Sequence, residues 1–481
     1  MPQRPWSIEI NQFEGYIPNF WDDEYPIIGN KGQASAMTNI NLLNPNVLTQ
    51  GPGLVNLTNN SVVTTMIKGI LRRYVEGLSA VAAVGGNKVY KLTTGEVTSD
   101  GNFPHTIDKA AVTSEDGEDV LYYQGAILYS YNHSGAAGDV GRWTGAASFD
   151  DDYMSTVPTG ATTLQGDVPH PMWLGGDDVA YIGNGHYVAT LNTTTFTDQA
   201  LDLPVGEVVV AGGYTSNRNY IATNNQNVSV SAQAESSIYI WDGVSRSWEF
   251  QIRVYGKIGA IWIKNGVVYV FYQDISSTGG FKLGFISNNG VKDICNFTGS
   301  LPLYYQVTEI KNHIMWASSG QVWAYGAATN LLPTRLFQNC DGGYATLGGI
   351  SNVFGVLYIA STDAVNFRLA QPSGYDVNAA WKTISFDVAN GREKSVMSKI
   401  SIFTEPISSG GQLDVTLKAN YGAISKALTS VNGQLLTRHV ILRDEFEVEN
   451  FRLDFDWSAG STTNPVKIRK IIIDGYYNLN Q

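Results

Sequence analysis

Cysteine is scarce in this chain: Cys295 and Cys340 are the only two among 481 residues. Two cysteines provide neither a disulfide framework nor zinc-ligand spacing. Their separation is close to one period of the repeat described below. Two buried free thiols are the plain expectation, and thiols facing each other on neighbouring repeats the alternative. Charge is scarce too, at 15% of residues against about 25% in ordinary soluble domains. The surface must therefore be covered mostly by Ser, Thr, Asn, Gln, Gly and Tyr. What charge there is leans acidic, with 31 Lys plus Arg against 43 Asp plus Glu and a net charge of −12. With no Lys/Arg run, such a chain does not track a phosphate backbone, which argues against nucleic-acid specificity. No run approaches about 18 apolar residues, so no membrane span is expected. The opening MPQRPWSIEINQF has neither an apolar core nor a cleavage pattern, so no signal peptide is expected. Helical periodicity is nearly missing, its best trace being a short stretch over 107–112.

What recurs is a short β-rich run, a turn holding Gly or Asn, and a second β-rich run with an aromatic. The copies are AVAAVGGNKVYKL (80–92), EDVLYYQGAILYSYN (118–132) and DDVAYIGNGHYVATL (177–191), then SSIYIWDGVSRSWEFQIRV (236–254) and GAIWIKNGVVYVFYQ (259–273). HIMWASSGQVWAYG (313–326) and GGISNVFGVLYIAST (348–362) complete the set. Alternating apolar residues around a tight-turn signal read as a β-hairpin. The aromatics Tyr90, Tyr129, Tyr187, Tyr239, Tyr269, Trp323 and Tyr358 recur on average about 45 residues apart, a period that reads as propeller blades. Seven copies predict seven blades. The intervals between them are uneven, which keeps six or eight open.

After about Asn378 the hairpin repeat stops and longer strands follow: WKTISFDV, SKISIFTE, QLDVTLKANY, RHVILR, FEVENFRLDFDW and VKIRKIIIDGYY. Alternation within them and the connections at Gly410-Gly411, Asn432-Gly433 and 458–464 predict a β-sandwich. A charged turn is expected over 391–394. The segment 1–60 scatters Phe13, Tyr16, Phe20, Trp21 and Tyr25 among Pro, Asn and Gly, the composition of an extended arm that packs on something already folded. Part of it, near 47–57, is a candidate for the strand that closes the ring. The expected organisation is an extended arm over 1–60, a propeller over 61–378 and a sandwich over 379–481. The fold class is all-β.

Candidate chemistry is thin. None of the six histidines (His105, His133, His170, His186, His313, His439) sits in a G-x-S-x-G elbow, and HExxH and the GxxxxGK[ST] phosphate loop do not occur. These histidines are expected in turns or on the surface. Asp22-Asp23-Glu24, Asp150-Asp151-Asp152 and Asp177-Asp178 put carboxylates side by side, which could hold Ca²⁺ if backbone carbonyls gathered around them, but reads more simply as solvated turns. Ser114-Glu115-Asp116-Gly117 matches only part of the sialidase box S-x-D-x-G-x-x-W. Trp241-Asp242-Gly243 with Trp248 reads either as a stacking platform for sugars or as a filled blade corner. No catalytic, cofactor-binding or metal residue is assigned, and nothing in the sequence marks an active site at the propeller axis.

The layout resembles bacteriophage tail proteins. The resemblance lies in Gly29-Asn30-Lys31-Gly32-Gln33-Ala34-Ser35, then Met37-Thr38-Asn39-Ile40, then Gln50-Gly51-Pro52-Gly53-Leu54 ahead of the first blade. It continues in a strand of the form W-x-S/T-x-x-F, here Trp381, Thr383 and Phe386, that opens the terminal sandwich. It implies a non-enzymatic virion part, a tail nozzle, tail tip or adhesion component. Such a part is a homo-oligomer that contacts other tail or connector proteins and is assembled in a host cytoplasm. The lack of a signal peptide and the few cysteines agree with that compartment. A propeller binding a host-surface glycan or receptor is the alternative. A propeller glycoside hydrolase, which would need a carboxylate pair at the axis, is a third reading.

Overall fold

The structure is a computed structural model that describes residues 3–13, 34–42, 44, 46–72, 81–93, 95–109, 115–133, 135–145, 148–226, 235–274, 280–287, 290–310, 312–326, 334–338, 346–353, 355–363, 365–376, 378–388, 393–432 and 436–479. Among these, the one α-helix is the single turn Tyr153–Thr156. Ile107 to Lys109, where the sequence carries its best trace of helical periodicity, form no helix.

Seven antiparallel blades follow one another along the chain. Their innermost strands are Gly69–Ile70, Glu115–Tyr123, Met172–Leu174, Glu207–Thr215, the second half of Phe250–Lys264, Val307–Ile310 and Thr346–Val353. Each packs on the next in this order, and Thr346–Val353 packs on Gly69–Ile70, so the ring is closed. The last blade is completed from the other end of the chain. Leu54–Asn56 pairs antiparallel with Phe367–Pro372, with Asn56 opposite Ala370. Closure of this kind leaves no blade face without a neighbour.

Blades 4 and 5 share a strand. The 15 residues of Phe250–Lys264 start as the outer strand of blade 4, paired with Glu235–Trp241. They end as the inner strand of blade 5, paired with Val267–Asp274. The chain changes role at Gly256, whose φ is +150° and where a Cβ would lie 2.0 Å from the Gln273 carbonyl oxygen.

Each of the seven sequence hairpins falls in a different blade, but at a different place within it. Tyr90, Tyr187, Tyr239 and Trp323 stand on third strands, and Tyr129, Tyr269 and Tyr358 on second strands. The short steps, from Tyr90 to Tyr129, Tyr239 to Tyr269 and Trp323 to Tyr358, run from a third strand to the next blade's second strand. The longest steps, from Tyr129 to Tyr187 and Tyr269 to Trp323, run from second to third. The uneven spacing therefore comes from a shift in phase within a regular ring.

The sandwich packs two sheets over one core holding Trp381, Trp457, Phe455, Ile471 and Ile473. One sheet runs Gln3–Ile10, Ile468–Leu479, Glu393–Thr404, Arg438–Leu442. The other runs Ala34–Thr38, Ala380–Thr383, Asn450–Asp456, Gln412–Ala419, Ile424–Ala427. Gln412–Ala419 buries every second residue, as a strand with one core face must. The described part of the arm is consumed inside the chain. Gln3–Ile10 pairs along the last strand, from Gln3 opposite Asn478 to Ile10 opposite Ile471. Phe13 is fully buried, edge-on to Trp381 at 5.8 Å between ring centroids. Tyr16, Phe20, Trp21 and Tyr25, the acidic run Asp22-Asp23-Glu24, most of the motif from Gly29 to Gln33, the turn at 391–392, and Cys340 lie outside the described residues.

Candidate functional site at the propeller axis

The inner strand of blade 2 opens with Glu115-Asp116-Gly117-Glu118-Asp119, four carboxylates ahead of the apolar Val120-Leu121. The strand is held in place by its own hairpin, Glu115–Tyr123 against Ala126–His133. Gly117 is needed there because a Cβ would sit 2.1 Å from a Val84 methyl on blade 1.

Two cations from blade 1 meet these acids. Lys68 Nζ lies 2.6 Å from Asp116 Oδ2 and 2.8 Å from Glu118 Oε1. Arg72 donates to Asp119 Oδ1 at 2.7 Å. Asp119 is fully buried and also accepts the backbone N–H of Met172 on blade 3 and of Val120. Across the ring, the connection between blades 5 and 6 forms the turn Tyr304–Gln306. The buried Tyr304 hydroxyl donates to Glu118 Oε2 at 3.0 Å, and its ring lies 5.4 Å from the Arg72 guanidinium carbon. The axis is thus crossed by Tyr304 and lined with paired charges.

Burial works against the charge on Lys68, but Glu118 and Asp116 together raise its pKa above the ordinary lysine value. Burial raises the pKa of Glu118, with Lys68 pulling the other way. A glycoside hydrolase needs one carboxyl to give a proton to the substrate and a second carboxylate open to it. Here the Glu118 and Asp119 side chains are 9% and 1% exposed and committed to Lys68, Arg72 and Tyr304. The arrangement braces the ring. The sequence marks this cluster only by four acids at the head of a strand otherwise built for the core, a signal too weak to single out.

The other candidates take defined places. Asp151, expected in a solvated turn, is instead held between blades. His105 Nε2 lies 2.9 Å from its Oδ1, the Asp108 N–H donates to Oδ2 at 3.0 Å, and Tyr129 also donates to it. Burial alone would raise its pKa, but these bonds outweigh that and lower it. Asp177 caps its own turn through the Val179 N–H and accepts from Tyr181 at 3.0 Å. Among the described residues no three His, Cys, Asp or Glu side chains gather as a metal site. Trp241 is 1% exposed and donates to the Ser245 carbonyl at 2.6 Å, packed edge-on against Tyr181, so it fills a blade corner. Cys295 is half-buried, and burial raises its thiol pKa.

Three of the six histidines, His133, His170 and His313, are buried and not on the surface. His133 and His313 stand on second strands, whose faces meet the neighbouring blades and not solvent. His170 lies between blades 2 and 3, its Nδ1 2.9 Å from the Gly183 carbonyl. Since a carbonyl only accepts, that nitrogen carries the proton.

No family model and no curated protein matches the chain. Among solved structures, an exo-β-1,3-galactanase from Phanerochaete chrysosporium, captured with β-1,3-galactotriose, is similar at 10% identity and a TM-score of 0.35, covering 88% of this chain and 100% of that one. A chain of the mitotic checkpoint complex is similar at 9% identity and a TM-score of 0.43, over 68% of this chain and 96% of its own. Drosophila semaphorin 1a, extracellular domains 1–2, stands at 10% identity and 0.42, over 65% and 87%. At these distances no activity carries over, and the propeller rests on this chain's own strand ladders.

Proposed function

We propose that the chain is a non-enzymatic structural protein of a bacteriophage tail, at its nozzle or tip, working as a homo-oligomer against other tail or connector proteins in the virion. The observation that carries this reading is the weave of the N-terminal segment. Ahead of Leu57 it supplies Gln3–Ile10 and Ala34–Thr38 to the two sandwich sheets and Leu54–Asn56 to the last blade. Pulling either domain away from the other would have to unzip a strand ladder, which suits a part that bears load. The braced axis supports the same reading, since its buried carboxylates are spent on ion pairs. The low charge content agrees with a surface made for permanent contacts.

Mass spectrometry of purified virions tests this, together with negative-stain images of the isolated chain at high concentration. The expected result is a stoichiometric virion protein that forms rings or defined oligomers. A chain absent from particles and monomeric at every concentration overturns the reading. Turnover on a panel of glycosides would overturn its non-enzymatic part.

A further inference from the structure

We propose that the groove at the ring-closing seam is a carbohydrate subsite. The groove, about 620 Å³ in volume, opens where the closing strand meets blade 7. That volume falls among ordinary small-ligand sites and holds roughly one or two hexose rings. One wall comes from Asn56, Ser61 and Thr64, the other from Val365, Phe367 and Arg368. The walls come from opposite ends of the propeller's sequence, so the groove exists only in the closed ring.

Its shape follows from how the ladder ends. Beyond Asn56, the Leu57 N–H still pairs with the Leu369 carbonyl at 2.9 Å. Then a side chain takes over from the backbone: Asn60 accepts the Leu369 N–H at 2.8 Å and donates to the Phe367 carbonyl at 3.3 Å. The chain turns away there, and the space is left open.

Three of the groove's polar groups are unspent. Asn56 Oδ1 is buried with no partner among the described residues. The Ser61 and Thr64 hydroxyls make no hydrogen bond among the described residues, Thr64 being bonded only through its backbone N–H to Tyr90. A buried acceptor without a donor is costly and invites one. An amide and two hydroxyls side by side offer both donors and acceptors, which matches the vicinal hydroxyls of a sugar. Among the described residues no carboxylate lines the groove. The half-buried Phe367 and Val365, which is 81% exposed, give an apolar lip for the C–H face of a sugar ring. Amide, hydroxyl and apolar lip together favour a sugar over a wholly apolar ligand.

Saturation-transfer NMR on the full chain tests this, with glucose, galactose, N-acetylglucosamine and their β-linked disaccharides as probes. Transfer to at least one sugar is expected, reduced about tenfold in Asn56→Ala and in Thr64→Val, with melting temperature unchanged because neither Asn56 Oδ1 nor the Thr64 hydroxyl has a bond to lose. If either variant melts early, the exposed Val365→Asp serves instead, and the same loss is expected. No transfer to any probe overturns the proposal, as does transfer undiminished in the variants that stay folded. The assay uses isolated protein, so its failure leaves the virion test of the tail reading untouched.

Discussion

The Tyr304 hydroxyl donates to Glu118 Oε2 at 3.0 Å and lies 3.1 Å from the Glu118 backbone carbonyl, tying the connection between blades 5 and 6 to the inner strand of blade 2. This contact spans the ring, so it resists any opening that moves the two sides apart. Tyr304→Phe keeps the ring and removes the hydroxyl, leaving a buried acceptor on Glu118. The expected loss is about 1–3 kcal/mol, read as a lower midpoint in urea unfolding. A midpoint equal to that of the unaltered protein would show that the contact braces nothing.

Arg72 and Asp119 form the most deeply buried of the axial pairs. Removing one partner strands a charge, which in buried pairs costs about 3–5 kcal/mol. Arg72→Met should show a loss of that size, and Arg72→Met with Asp119→Asn should recover part of it. A double variant no better than the single one would mean that the backbone donors of Met172 and Val120 carry Asp119 by themselves.

His170 makes stability depend on pH. Burial lowers its pKa from 6.5 to about 4. The folded value is below the unfolded one, so the unfolded chain takes up the proton first as pH falls. Its contribution is complete above pH 6.5 and fades as the pH drops toward about 4. The amount at stake is on the order of 3 kcal/mol. Urea midpoints at pH 7 and pH 5 should differ by less in His170→Asn than in the unaltered protein. The buried Glu118, whose pKa is raised, acts in the opposite direction and is common to both proteins. An equal pH difference in both would rule out His170 as the source.

Gly141 lies under the ring of Tyr129, where a Cβ would come within 2.2 Å. The tyrosine cannot swing aside without giving up its bond to Asp151. Gly141→Ala should therefore cost about 1–3 kcal/mol by overpacking. Gly125 separates the two causes of a glycine requirement: a Cβ there would meet nothing within 4 Å, but its φ is +81°. Gly125→Ala should cost only backbone strain, about 1 kcal/mol. Equal losses at both sites would remove the steric argument for Gly141.

Hairpins were legible because they are local: alternation around Asn-Gly or Gly-rich turns sets both strands within one short stretch of chain, and each of the seven copies marks one blade. The same is true of the sandwich strands, whose one-faced alternation, as in 412–419, shows wherever the partner sheet lies. The phase of the blades was not legible, because a tyrosine on a second strand and one on a third strand look alike until pairing is known. The merging of blades 4 and 5 into one continuous strand at Gly256 was hidden for the same reason. The axial cluster was out of reach in a stronger sense. Lys68, Arg72, Glu118, Asp119 and Tyr304 are scattered over most of the propeller's sequence, and neither their spacing nor their types mark them as neighbours. Composition and local pattern alone determined the all-β class, the repeat and the terminal sandwich. Only ring closure decided which polar residues lie buried between blades, because closing the ring turns strand faces that any single blade would leave wet into interfaces where each charge must find a partner.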